Sequence, residues 1–240
     1  MLFSQLKNVA AENNIELNPK TIHIDFEKDV IKAIQLHFPN AKIIGCHFHF
    51  TNAIYKQVVE LGLITVFREN KKFKLWICSL MCFPFLMLGD IDDTFEAMLN
   101  LRSQMELEEV DDRKLDQFID YFRRTWLNDK CHFSRKIWNL YGEKSSRTNN
   151  ICESYNHQIN GKIISSNSNI YKVITVVQKA ESLASTSYER VNVGQEKKPK
   201  TAQQVKDAKI ETLKVKYRHC EITVLNYLKE ISAFIKEWDE

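Results

Sequence analysis

Between Thr21 and Gly62 two short β-branched runs alternate with two helical stripes, and this order restricts the chain more than any other feature. "TIHID" (21–25) is the first run. In "FEKDVIKAIQLHF" after it, Phe26, Val30, Ala33, Ile34 and Phe38 fall on one helical stripe. "NAKIIGCHFHF" supplies a second short strand around Ile43 and Ile44, and the segment from Asn52 to Leu61 reads as another helix, stopped by Gly62. A strand, a helix and a second strand in this order need a crossover, so the two strands are expected to lie parallel and side by side.

The rest of the chain reads as helix. Leu2, Leu6 and Val9 keep helical spacing until "NNIELNP" breaks it, and beyond Gly62 no strand pattern stands out. Segments near 71–83, 92–109, 112–127, 134–140 and 170–191 are helical in pattern, with "DIDD" and "VDDRK" as caps and joints. "GQEKKPKTAQ" (194–203) reads as a linker, and 205–238 as one or two amphipathic helices. Only 6 Gly and 4 Pro punctuate the 240 residues, which suits long helices better than a many-stranded sandwich. The fold class is therefore α/β and helix-rich.

Charge excludes little: 34 basic and 31 acidic residues leave a formal +3, so charge alone does not indicate nucleic acid. The six cysteines, at 46, 78, 82, 131, 152 and 220, lack the paired spacing of a secreted scaffold, and reduced thiols are expected. Cys78 and Cys82 read as core thiols within the apolar run Leu75 to Leu88. That run is too short to span a bilayer and is broken by Pro84, so no membrane role is expected.

Three places carry chemistry-bearing residues. Asp25 ends a predicted parallel strand, where open α/β sheets place ligand-binding groups, although it also suits a cap on the helix beginning near Phe26. Glu153 sits in "RTNNICESYNHQIN" (147–160), among more hydrogen-bonding side chains than a packing helix needs; Asn150 and Glu153 equally have the spacing of a capping box. Cys46 and His49, at i and i+3, would be half of a zinc site. With no second Cys or His pair at a useful interval, zinc is not expected there.

Taken in order, "IDFEKDVIKAIQLHFPNAKIIGCHFHFTNAIYKQVVELGL", a helical block and "RTNNICESYNHQIN" resemble the catalytic domain of Mutator-like (MULE) DDE transposases over about residues 1–180. In that family the second catalytic Asp lies in a strand-end "DFE" motif, followed by "FP", "GC-x-FH" and a later helix of the type "RTNN-x-x-E". The resemblance makes Asp25 the second catalytic carboxylate and Glu153 the third, both ligands for Mg²⁺ or Mn²⁺, ions that favour hard oxygen donors. It places Cys46 and His49, with Arg147, Asn149, Asn150, Asn156, His157 and Lys162, near bound DNA.

The fold that the resemblance implies is an incomplete RNase H-like one: a partial core with two parallel strands (1–62), a large all-helical insertion (63–146), helices closing the catalytic domain (147–193), and a linker with a helical C-terminal tail (194–240). The family's first catalytic Asp belongs upstream of the helix at 2–13. A truncated transposase domain, inactive alone, is the expectation, with a domesticated non-enzymatic DNA-binding or protein-interaction module as the alternative. Transposon-end DNA as partner, self-association, no small-molecule cofactor, and a nuclear location (cytoplasmic if a targeting signal is lacking) complete what the resemblance implies.

Overall fold

Strands β1 (Thr21–Ile24) and β2 (Lys42–Gly45) pair in parallel, with Ile22 opposite Ile43 and Ile24 opposite Gly45. In the computed structural model residues 2–105, 111–128, 131–143, 150–163, 169–194 and 201–234 are described, without the side chains of 150–154, 156, 158 and 201–204. These residues form two compact units, one of Met1–Thr148 with Lys209–Glu240 and one of Asn149–Ala208.

In the first unit α1 (Leu2–Glu12) precedes β1, α2 (Lys28–His37) crosses over to β2, and α3 (His47–Glu60) leaves it. The crossover buries Ile31, Ile34 and Phe38 with Ile24 in a small cluster, against which Phe3 and Leu17 also pack. Periodicity misplaced part of this stripe. Val30 and Ala33 are only half-buried and Ile31 is the buried neighbour. Phe26 stands outside the helix, at φ 65°, in the left-handed region that costs a residue with a Cβ. Helix α3 starts five residues before the expected Asn52, because Phe50, Ile54 and Val58 form a buried helical stripe that needs the first turn.

The helical block follows: α4 (Ile64–Glu69), α5 (Lys71–Met81), α6 (Ile91–Ser103), α7 (Asp112–Phe122) and α8 (Arg135–Trp138). Asn70 caps α5 by accepting from the amides of Lys72 and Phe73, and Asp111 caps α7 by accepting from that of Arg113. Helix α5 stops where Pro84 enters a 3₁₀ turn at Phe83–Phe85, and α7 runs into a π-helical turn at Arg123–Leu127. Between them lies an aromatic core containing Phe50, Phe67, Phe73, Trp76, Phe83, Phe118, Phe122, Trp126 and Trp138, all almost fully buried. The Trp76 indole donates to the Met98 carbonyl at 2.8 Å, so its one polar atom is satisfied where it is buried.

The tail closes the same core. From Lys209 onward α11 (Thr201–Arg218), and then α12 (Val224–Ser232), place Ile210, Tyr217, Tyr227, Leu228 and Ile231 in the aromatic cluster. The buried Tyr227 hydroxyl donates to the Phe85 carbonyl at 2.8 Å. Burial is the main cause holding that hydroxyl above its ordinary pKa, so it stays a neutral donor. In the second unit α9 (Asn150–Ile163) packs on α10 (Ile170–Asn192), which Asn169 caps through the Lys172 amide. Among the described residues no helix is long and apolar enough to cross a membrane.

Candidate metal centre at the strand ends

The register of the sheet builds the site. Because Ile24 lies opposite Gly45, the next residues, Asp25 and Cys46, emerge side by side at the carboxyl ends of two parallel strands. The Cys46 amide donates to the Ile24 carbonyl at 2.9 Å, extending the ladder one step past the strand ends. Cys46 is the N-cap residue of α3, and His49 falls in its first turn. Helical spacing from i to i+3 then aims His49 back at the strand ends, where its Nδ1 lies 3.3 Å from Asp25 Oδ1.

One ligand atom from each of Asp25, Cys46 and His49 lies within 4.8 Å of the others, and no further such group occurs among the described residues. Burial differs across the trio. Cys46 is fully buried, whereas the side chains of His49 and Asp25 are 28% and 44% exposed, so the cluster opens to solvent on the carboxylate side. A carboxylate oxygen, an imidazole nitrogen and a thiol sulfur together form a mixed hard and borderline-soft donor set.

Two residues that the sequence reading did not single out hold this geometry. Adjacent to Asp25, Phe26 turns its ring across the end of β2, where a Cβ on Gly45 would come within 2.2 Å of the ring. Only glycine fits there. The other side of the ring meets Trp126 edge-on at 5.2 Å and Phe133 at 5.1 Å, so Phe26 wedges the strand ends against the helical block. A non-glycine residue at positive φ beside a charged strand end is the kind of local cost that surrounding structure must impose. A glycine ahead of the Cys, paired with an aromatic after the Asp, was the available sequence signal.

On the opposite side, His47 fixes the start of α3 by sharing a hydrogen bond of 3.0 Å between its Nε2 and the Met81 carbonyl, while Phe50 stacks near Trp126 and Trp138. In "HFHF", then, His47 and Phe50 anchor the turn and His49 faces the site.

The N-cap position of α2 is held by Glu27, not Asp25, and the Glu27 side chain closes no cap hydrogen bond. The Asp25 carboxylate lies beside the His49 imidazole. Cys131 is not part of the cluster; its Sγ contacts the Phe133 carbonyl at 3.0 Å.

The remaining predicted site residues lie in or beside α9. His157 and Lys162 are exposed on that helix. Arg147 and Asn149, and the side chains of Asn150, Glu153 and Asn156, lie outside the described residues, so neither the Asn150 capping box nor a meeting of Glu153 with Asp25 is described.

Comparison with known proteins bears on the α/β region alone: no curated protein and no solved structure matches the chain. Residues 1–53 match the family model of the MULE transposase domain, so the segment that carries Asp25, Cys46 and His49 is of MULE transposase type and points to a transposase-related function.

Proposed function

We propose that the chain derives from the catalytic domain of a metal-dependent DNA transposase of RNase H-like fold, in which Asp25 and Glu153 are two of the acidic ligands for Mg²⁺ or Mn²⁺. The observation that carries this reading is the position of Asp25, at the carboxyl end of a parallel strand and within the family match. In such enzymes carboxylates hold divalent ions that activate a water or a 3′-hydroxyl and stabilise the oxygen leaving the phosphodiester. Asp25 suits this role because its carboxylate is partly open to solvent, with the His49 imidazole beside it. DNA is the partner, approached through His157, Lys162 and the Asn-rich start of α9, and the nucleus is the place of action.

Two carboxylates offer few oxygens for holding a pair of ions in line with a scissile bond. The 240-residue chain assayed alone is therefore expected to bind duplex DNA, with affinity falling steeply as salt rises, and to leave it uncut in Mg²⁺ or Mn²⁺. The experiment compares nicking and binding by the intact chain with Asp25→Ala and Glu153→Ala. Nicking lost in both variants would overturn the inactivity and show that another carboxylate of the chain completes the site. No DNA binding even at low salt would overturn the DNA reading.

A further inference from the structure

Sequence spacing argued against zinc because Cys46 and His49 lack a second Cys or His pair. The structure supplies a third donor that no local spacing reveals, since Asp25 reaches the pair through strand register rather than through a motif. We propose that Asp25, Cys46 and His49 form a three-ligand site for a borderline-soft transition ion of the Zn²⁺ class, with a fourth position open to water. This proposal stands on the three side chains and does not rest on the DNA reading.

Geometry, donor chemistry and local support agree. Two ligands about 2.0 to 2.1 Å from a tetrahedral zinc stand about 3.3 Å apart, which is the separation of His49 Nδ1 and Asp25 Oδ1 before any ion enters. All three donors already lie within 4.8 Å, so binding needs side-chain adjustment and no rearrangement of the strands. A thiolate in the set favours Zn²⁺ or Co²⁺ over Mg²⁺, which prefers octahedral oxygen shells and keeps its own water. The 14-residue helix α3 begins at the sulfur, and the positive end of its dipole favours negative charge there. Cys46 is fully buried, and Gly45 before it lies under the Phe26 ring, so the most deeply buried donor is also the softest. Asp25, on the solvent side, leaves the open position facing outward.

Three protein ligands with one open position resemble catalytic rather than structural zinc sites in coordination number. In this protein the arrangement has a direct chemical consequence. An ion seated on all three donors engages the Asp25 carboxylate, and a hard ion with oxygen preference does not displace it from the thiolate and imidazole.

Cobalt titration of the full chain tests the proposal, because a Co²⁺–thiolate bond absorbs in the near ultraviolet and four-coordinate Co²⁺ absorbs in the visible. The expected result is saturation at about one ion per chain, displacement by Zn²⁺ and indifference to millimolar Mg²⁺. Asp25→Asn and His49→Gln should each weaken Co²⁺ binding by at least about tenfold, and Cys46→Ser should remove the thiolate band. Asp25 and His49 are partly exposed, so their variants keep the test decisive even if the buried Cys46→Ser fails to fold. Absence of the thiolate band, or a band undiminished in both Asp25→Asn and His49→Gln, would overturn the assignment; the latter would move the metal to other cysteines such as the exposed Cys220.

Discussion

The sheet region and the helical block solve opposite problems. Around the sheet, Ile24, Ile31, Ile34 and Phe38 form a small aliphatic cluster, and the chain spends its register on bringing a carboxylate, a thiol and an imidazole together. The block behind it is packed with Trp and Phe, and the indoles of Trp76 and Trp138 donate to backbone carbonyls. Rigidity and chemistry are thus separated, and Phe26 joins them through Trp126 and Phe133. A thin sheet can hold a precise site if its strand ends are wedged against something stiffer than themselves.

The largest expected effect is on the block. Trp126→Ala removes a side chain that is 1% exposed and touches Phe26, Phe50 and Phe133, and should cost about 3 to 5 kcal/mol in urea unfolding. Ile34→Ala, in the small cluster, should fall near the lower end of the 2 to 5 kcal/mol range for such truncations, at about 2 kcal/mol. The reverse ranking would break the contrast between a stiff block and a thin sheet.

Next in size is the wedge. Gly45→Ala places a methyl carbon 2.2 Å from the Phe26 ring and should cost about 1 to 3 kcal/mol. In a Phe26→Gly background most of that cost should vanish, because the ring is gone and the left-handed backbone is relieved. A double-mutant cycle showing additive costs would mean that the ring and Gly45 are not in contact in solution.

The smallest effect concerns the tie between α6 and α8. Arg135 donates to both oxygens of Asp92 at 2.7 Å and also to the Leu127 carbonyl, and its hydrogen bond holds the Asp92 carboxyl below the ordinary aspartate range. A carboxylate whose folded-state pKa is depressed stabilises the fold above its unfolded value, about 3.9, and loses that contribution as pH falls through the lowered one. With Asp92 68% exposed the gain is under about 1 kcal/mol. Melting curves should show the native chain slightly more stable than Asp92→Asn at neutral pH, with the difference closing in acid. A difference that persists or grows in acid would sink this account.

The alternation of β-branched runs with helical stripes made the parallel pair legible, because period-two and period-3.6 patterns change over within a few residues there. Less legible was whatever depends on distant partners. Phe26 fits the helical stripe by spacing, yet Gly45, Trp126 and Phe133 claim its ring and hold it outside α2. "HFHF" alternates like a strand, but His47 and Phe50 are drawn into the block and make it the first turn of α3. Short α4, with "ITVFRE", carries too few residues to show a period. At the site, the i, i+3 relation of Cys46 and His49 could be read directly, whereas Asp25 joins them only once Ile24 is known to face Gly45.

The first unit is interrupted along the chain. Its chain departs at residue 148 and returns at 209, and the returning helices contribute Tyr217, Tyr227, Leu228 and Ile231 to the aromatic core. During synthesis that core therefore waits, incomplete, until the whole intervening unit has left the ribosome, and its final closure spans a long loop whose ends must meet. A stop codon anywhere in residues 149–208 would spare every residue of the Asp25 cluster and still deprive the block behind it of its closing helices.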